Sequence, residues 1–251
     1  MEGRSQAKII ENRGIKLTKP YVVVGVPDVG LVGLIASSFM IEHANMQEVG
    51  YVESESLPQV VMVHGSVPLP PVRLYASGDG KLVILLSEIP LPPRSSYEVA
   101  SELESWALDK SAEAVIGLSG LPSSERLESD SDSKPKVFGI SNNDLMIKEV
   151  GKYGVQPFEE GMITGTYATL INKGRLLGVN NLLLLAESYP EFPDPSAAAS
   201  VVGVLNSMLG IKLDLKPLIE ESEEIRLKMR DMMRRTQMTA SQVGSPPSAY
   251  A

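Results

Sequence analysis

Val22-Val23-Val24-Gly25-Val26-Pro27-Asp28-Val29-Gly30-Leu31-Val32-Gly33-Leu34-Ile35-Ala36 is the stretch on which the fold turns. Its first part, with Tyr21 ahead of it and Pro20 before that, is a β-branched run that reads as a buried strand. A Gly-rich turn follows, and from Leu31 to Ile41 small and apolar residues spell a helix packed on a sheet rather than exposed to water. A strand, a glycine turn and a helix in direct succession are the opening unit of an α/β protein.

Working outward, strands are expected at 50–53, 60–64, 72–76, 82–87, 114–118, 137–140 and 181–187. Helices are expected at 95–110, 143–152, 165–177, 195–209 and 215–238. This alternation predicts a three-layer α/β/α domain with a largely parallel sheet, made mixed by the closely spaced strands between Gly50 and Ser87, which have room only for antiparallel pairing. Two Pro-rich segments, Val67 to Pro71 and Ile89 to Pro93, read as rigid loops beside strands. The acidic, Ser-rich stretch from Leu121 to Lys136 reads as a mobile loop.

The last expected helix carries Leu215, Leu218, Ile219, Ile225, Met229, Met232 and Met233 at spacings of three and four, an amphipathic pattern with an adaptable methionine face. Beyond it TASQVGSPPSAYA, residues 239–251, has neither periodicity nor enough apolar surface to offset the entropy of ordering it. The organisation is therefore one domain over residues 1–238 and a flexible tether over 239–251. A tyrosine, Tyr250, stands next to last in that tether with no core to join.

Composition narrows the function. A chain of 251 residues that is 43% hydrophobic can bury one sizeable core. With no cysteine it has no disulfide framework, thiolate metal site or cysteine nucleophile. The charged start and the short apolar runs predict a cytoplasmic protein without a membrane span. The net charge of −8 and the absence of a basic face argue against nucleic acid. The basic cluster from Arg226 to Arg235 shares a helix with acids and reads as a solvated or partner-facing surface.

The glycine turn does not suit a nucleotide. A dinucleotide fingerprint needs G-x-G-x-x-G, whereas Gly25, Gly30 and Gly33 are five and three apart. Pro27 and Asp28 put a missing N–H and a negative charge where a phosphate would approach, and no P-loop lysine follows. The glycines are expected instead to allow close helix-to-sheet packing. His43, near a helix end, and His64, at a strand end, lie beside no serine or carboxylate in a nucleophile arrangement, and no H-x-x-x-H spacing offers a metal site. Glu159 with Glu160, and Glu187 with Asp194, are the acid pairs capable of acid–base work, with loop acids and a helix cap as the plainer account. No catalytic, cofactor or metal residue is assigned.

Val22 to Ala36, GMITG at Gly161 to Gly165 with the helix through Gly178, the strand Leu182 to Glu187, Tyr189-Pro190, Pro193-Asp194-Pro195 and Leu213-Asp214-Leu215 together resemble the PAC2 family, the proteasome assembly chaperone 2 superfamily, in its archaeal form. The resemblance implies a nucleoside phosphorylase-like fold without that fold's catalytic residues, and homo-oligomers, tetramers or pentamers among them. Some relatives bind the 20S proteasome α-ring without ATP through a C-terminal hydrophobic-Tyr-X motif, which here falls on Ala249, Tyr250 and Ala251. Ala249 is smaller than the apolar residue favoured there. Two rival readings stay open: a small-molecule binder or enzyme, of nucleoside or phosphate type, using the Gly30 and Gly161–Gly165 turns as a pocket, and an adaptor whose partner binds through the core or the acidic loop Glu125 to Asp132.

Overall fold

The computed structural model describes residues 7–12, 14–123, 134–190 and 192–221. Strand β2 (Tyr21–Gly25) lies mid-sheet, and Val22, Val23 and Val24 are wholly buried. Period-two alternation sends Val23 to one face and Val22 and Val24 to the other, so one uninterrupted valine run feeds both halves of the core. The nine-stranded sheet is built around it.

On one side β2 pairs in parallel with β7 (Leu82–Ser87), on the other with β8 (Ala114–Pro122), and β8 pairs in parallel with β11 (Asn181–Ser188). Outside this parallel centre the directions change. The connections from β3 (Gln47–Glu53) to β6 (Val72–Ala76) and from β6 to β7 carry no helix to cross over, so β3–β6 and β6–β7 pair antiparallel. The edge strand β1 (Lys8–Glu11) and β9 (Val137–Ser141) also join antiparallel, and β10 (Gln156–Pro157) closes the far edge beside β9 in parallel. The sheet is thus mixed, as expected, with its parallel part concentrated at the centre.

Helices cover both faces. Helices α1 (Val32–His43), α3 (Asp144–Gly151) and α5 (Pro195–Leu209) pack on the Val23 face; α2 (Pro93–Asp109) and α4 (Gly165–Leu177) pack on the other. On α2, Val99, Leu103, Trp106 and Ala107 form a buried stripe at helical spacing. Asp194 caps α5 by accepting from the Ala197 N–H at 3.0 Å, ahead of Pro195 at the first helical position. Residues 216–221 begin the last expected helix; the rest of it, the tether 239–251 and most of the acidic loop lie outside the described residues.

Three short strands depart from the sequence expectation. β1 has charged residues at both ends and only Ile9 and Ile10 between them, so its pattern is weak; Glu11 secures it by accepting from Trp106 Nε1 at 2.5 Å and pairing with Lys110 at 2.6 Å. β10 has two residues. Val67–Leu69, expected to be loop, is β5, paired with β4 (Met62–His64) in a hairpin that forms its own sheet, where Pro68 costs only an edge hydrogen bond. On and beside this hairpin Val61, Val63 and Val67 are exposed.

Close packing explains the glycines. A Cβ on Gly33 would run into the Leu118 carbonyl of β8, so α1 sits against the sheet at a distance only glycine allows. Gly33→Ala is expected to destabilise the fold by about 1–3 kcal/mol, because the obstacle is backbone rather than a flexible side chain. Chemical denaturation measures it. Glu104 on α2 is fully buried, with Oε1 accepting from the Asn181 amide at 2.6 Å and Oε2 unpartnered. Burial pushes its carboxyl up to about 8, so its contribution to stability is complete below its ordinary 4.5 and is lost as pH rises towards 8. Glu104→Gln is therefore expected to unfold at higher denaturant than the parent chain above pH 8, with the advantage gone by about pH 4.

Candidate functional site

The chain leaves β2 for α1 on one face and returns to β8 from α2 on the other, so the sheet has a topological switch between β2 and β8. A crevice opens at the carboxyl ends of parallel strands where such a switch occurs. Here it is a cleft of about 410 Å³, bounded by 26–29 after β2, by 119–122 at the end of β8 and by 162–167 entering α4. The turn after β2 and the GMITG segment, far apart in sequence, face each other across it.

Its walls are mainly apolar, with Val26, Leu121, Phe158, Ile163 and Leu185 among them. The polar groups sit at the base. Tyr167 is buried; its hydroxyl donates to the Leu118 carbonyl and stands 3.5 Å from the Val26 N–H. Burial, and then the nearby Asp28 carboxylate, hold the Tyr167 hydroxyl well above its ordinary pKa, so it stays a neutral donor. Ser96 and Thr166 share a hydrogen bond at 2.9 Å.

Asp28 is the unusual member. It immediately precedes the tight turn Val29–Leu31, the position from which an aspartate ordinarily caps a helix, yet its side chain makes no capping hydrogen bond. It turns instead into the cleft, where Oδ2 accepts from the Ser119 hydroxyl and Oδ1 is buried without a partner. Burial pushes this carboxyl from an ordinary 3.8 up to about 7, against the lowering effect of the Ser119 hydrogen bond. No lysine, arginine or histidine lines the cleft among the described residues, so it lacks the groups that would hold a phosphate.

The other candidates from sequence scatter. Gly30 has φ 61° and packs on Ser188, with its carbonyl accepting from the Asp194 N–H at 2.8 Å, so it braces the turn rather than facing the cleft. His43 stacks on Phe39 at 4.0 Å in the last turn of α1. His64 has a carboxylate neighbour after all, with Nε2 hydrogen-bonded to Glu88 at 2.7 Å, and Glu88 also forms an ion pair with the buried Arg73; these contacts tie the hairpin to β6 and to the end of β7. Glu159 and Glu160 are exposed. Glu187 pairs with Lys136 at 3.7 Å while Asp194 serves as a cap, so those two acids do not act together. Ala249, Tyr250 and Ala251 lie outside the described residues. Ser119 and Tyr167 gave no sequence signal, since a serine in a strand and a tyrosine in a helix are ordinary. Among the described residues no group of three or more His, Asp or Glu side chains is placed to hold a metal, and no helix is long and apolar enough to cross a membrane.

The family model described as "PAC2 family" matches residues 22–233. This chain belongs to the PAC2 family. An uncharacterized protein of Methanocaldococcus jannaschii is 30% identical over 90% of this PAC2 chain and 90% of its own. Among solved structures, Pyrococcus furiosus PbaA, described as an archaeal homolog of proteasome-assembly chaperone, is 31% identical with a TM-score of 0.81, covering 94% of this chain and 95% of PbaA. Pyrococcus furiosus PbaB, described as an archaeal proteasome activator, shares the fold at 21% identity and a TM-score of 0.79, covering 91% of this chain and 99% of PbaB. The matched span contains the central sheet, the cleft and Asp28.

Because Asp28 is held closer to neutral in the folded state than in the unfolded one, its share of stability is complete below about pH 4 and fades as pH rises through 7. Asp28→Asn is expected to flatten the stability profile over that window, gaining on the order of a few kcal/mol near pH 8. Urea midpoints of the two chains across pH 4 to 8 measure it, and parallel curves would mean that Asp28 is solvated.

Proposed function

We propose that this protein is a non-enzymatic proteasome-binding factor, an assembly chaperone or ATP-independent activator that docks its tail on the 20S α-ring. The observation that carries the reading is Ala249-Tyr250-Ala251 at the end of a Pro-, Ser- and Gly-rich tether on a PAC2 domain. Supporting it is the 31% identity to PbaA, which is described as a homolog of proteasome-assembly chaperone. The Ala251 carboxylate pairs with a lysine in a pocket between α subunits. The Tyr250 ring packs there, its hydroxyl bonds the pocket wall, and Ala249 fills a small apolar site.

A single such tail is a weak ligand, since Ala249 buries little area. A cytoplasmic homo-oligomer offering several tails to one ring gains from effective concentration, by up to roughly 10²- to 10⁴-fold where the tethers reach. A linker of thirteen residues with the Ser-, Gly- and Pro-containing composition of 239–251 would span a root-mean-square distance of roughly 20 Å if it behaves as a flexible coil. This reach suits docking at neighbouring pockets.

The test compares the chain ending at Ala251 with the chain ending at Ser248, each mixed with 20S particles, with co-sedimentation and peptide hydrolysis read in the same samples. The shorter chain is expected to lose at least ten-fold in binding, and a rise in hydrolysis with the longer one assigns gate opening as well. Equal binding by both chains would move the contact to the folded core and refute tail docking.

A further inference from the structure

The carboxylate at the base of the cleft has no role in holding the turn it belongs to. Asp28 declines the capping position, commits one oxygen to Ser119 and leaves Oδ1 buried without a hydrogen bond. An unmet buried acceptor is destabilising, and a turn of the side chain that brings it to a ligand N–H recovers that cost. Its surroundings restrict what such a ligand can be. The walls are mainly apolar, the Tyr167 hydroxyl is already engaged with Leu118, and among the described residues no cationic side chain lines the cleft to balance Asp28.

We infer that the cleft between the turn 26–29 and the segment 162–167 is a binding site for a small organic amine, a singly cationic molecule with an apolar body whose N–H group pairs with the Asp28 carboxylate once that side chain turns its buried oxygen to the cleft. Charge complementarity selects this class. An anion would meet a carboxylate with nothing to offset it, and a polyanionic nucleotide or inorganic phosphate would fare worse. At about 410 Å³ the space is at the small end of ligand pockets and suits a ring with a short chain rather than a dinucleotide. Met162 is highly exposed at the rim, and Thr164 and Gly165 are exposed beside it, so the mouth is open to solvent. An ammonium group against Asp28 holds the carboxyl ionised, opposing the burial that raises it. The site is independent of tail docking and stands or falls separately.

Phenethylamine and 3-phenylpropionate share a ring and a two-carbon chain and differ in the sign of the head group, so they make a matched pair of probes. Titration calorimetry on the full chain at pH 7.5 is expected to give phenethylamine a Kd below about 1 mM, a reasonable strength for so small a molecule. The acid is expected to bind at least ten-fold more weakly. Asp28→Asn keeps the shape and removes the charge, and is expected to weaken phenethylamine at least ten-fold while leaving the chain as stable or more so. Thr164→Trp, at the exposed mouth, is expected to block the probe without touching the core. Equal binding of the two probes, unchanged affinity in either variant, or no heat from phenethylamine at 10 mM would each overturn the assignment. The chain ending at Ser248 is expected to bind phenethylamine like the parent, whatever it does to proteasome particles.

Discussion

The close seating of α1 on the sheet is the constraint from which the rest of the molecule follows. Gly33 brings the helix against the Leu118 carbonyl of β8, and Gly25, at the end of β2, leaves no room for a side chain beneath Ser37. With helix and strands this close, the chain must reverse within a few residues of Val26. It does so through Gly30 and Leu31 at left-handed φ values of 61° and 52°. For leucine that conformation is strained, and the buried surroundings of α1 sustain it. The turn so formed carries Asp28 over the carboxyl ends of β2 and β8, where the switch in topology leaves a crevice.

The segment that closes the crevice depends on the same geometry from the opposite side. Tyr167, in the first turn of α4, reaches across to Leu118 and Val26, so the strand that receives α1 also anchors α4. Gly117 makes this possible by leaving space on β8 for the tyrosine ring. Two helices on opposite faces are thereby referenced to one strand, and the residues between Phe158 and Tyr167 are held opposite the β2 turn.

Much of this was legible in the sequence, and the gaps have physical causes. Long periodic elements such as 165–177 and 195–209 stand out, because Asp194-Pro195 is a strong start signal for the second and left-handed Gly178 and Gly210 are strong stops for both. The bland role of Gly25 and Gly33 in packing could be argued from their spacing alone. β1 and β10 were invisible because an edge strand that buries little needs no strong pattern, and β5 was hidden by Pro68. Asp28 was visible as an obstacle to phosphate but not as a buried acceptor. Burial at a strand end depends on residues about ninety and one hundred and forty positions away, Ser119 and Tyr167, which no local window contains.

The β4–β5 hairpin shows a different kind of provision. Standing apart from the main sheet, with exposed valines and few charges, it is the sort of edge onto which a stray extended segment could add, strand by strand, into an aggregate. Pro68 lies within β5, and Pro70 and Pro71 follow it directly, so this edge lacks the N–H groups that a growing sheet needs. The residues that disguised the strand in the sequence also cap it against propagation, allowing an apolar projection to stay exposed without becoming a seed.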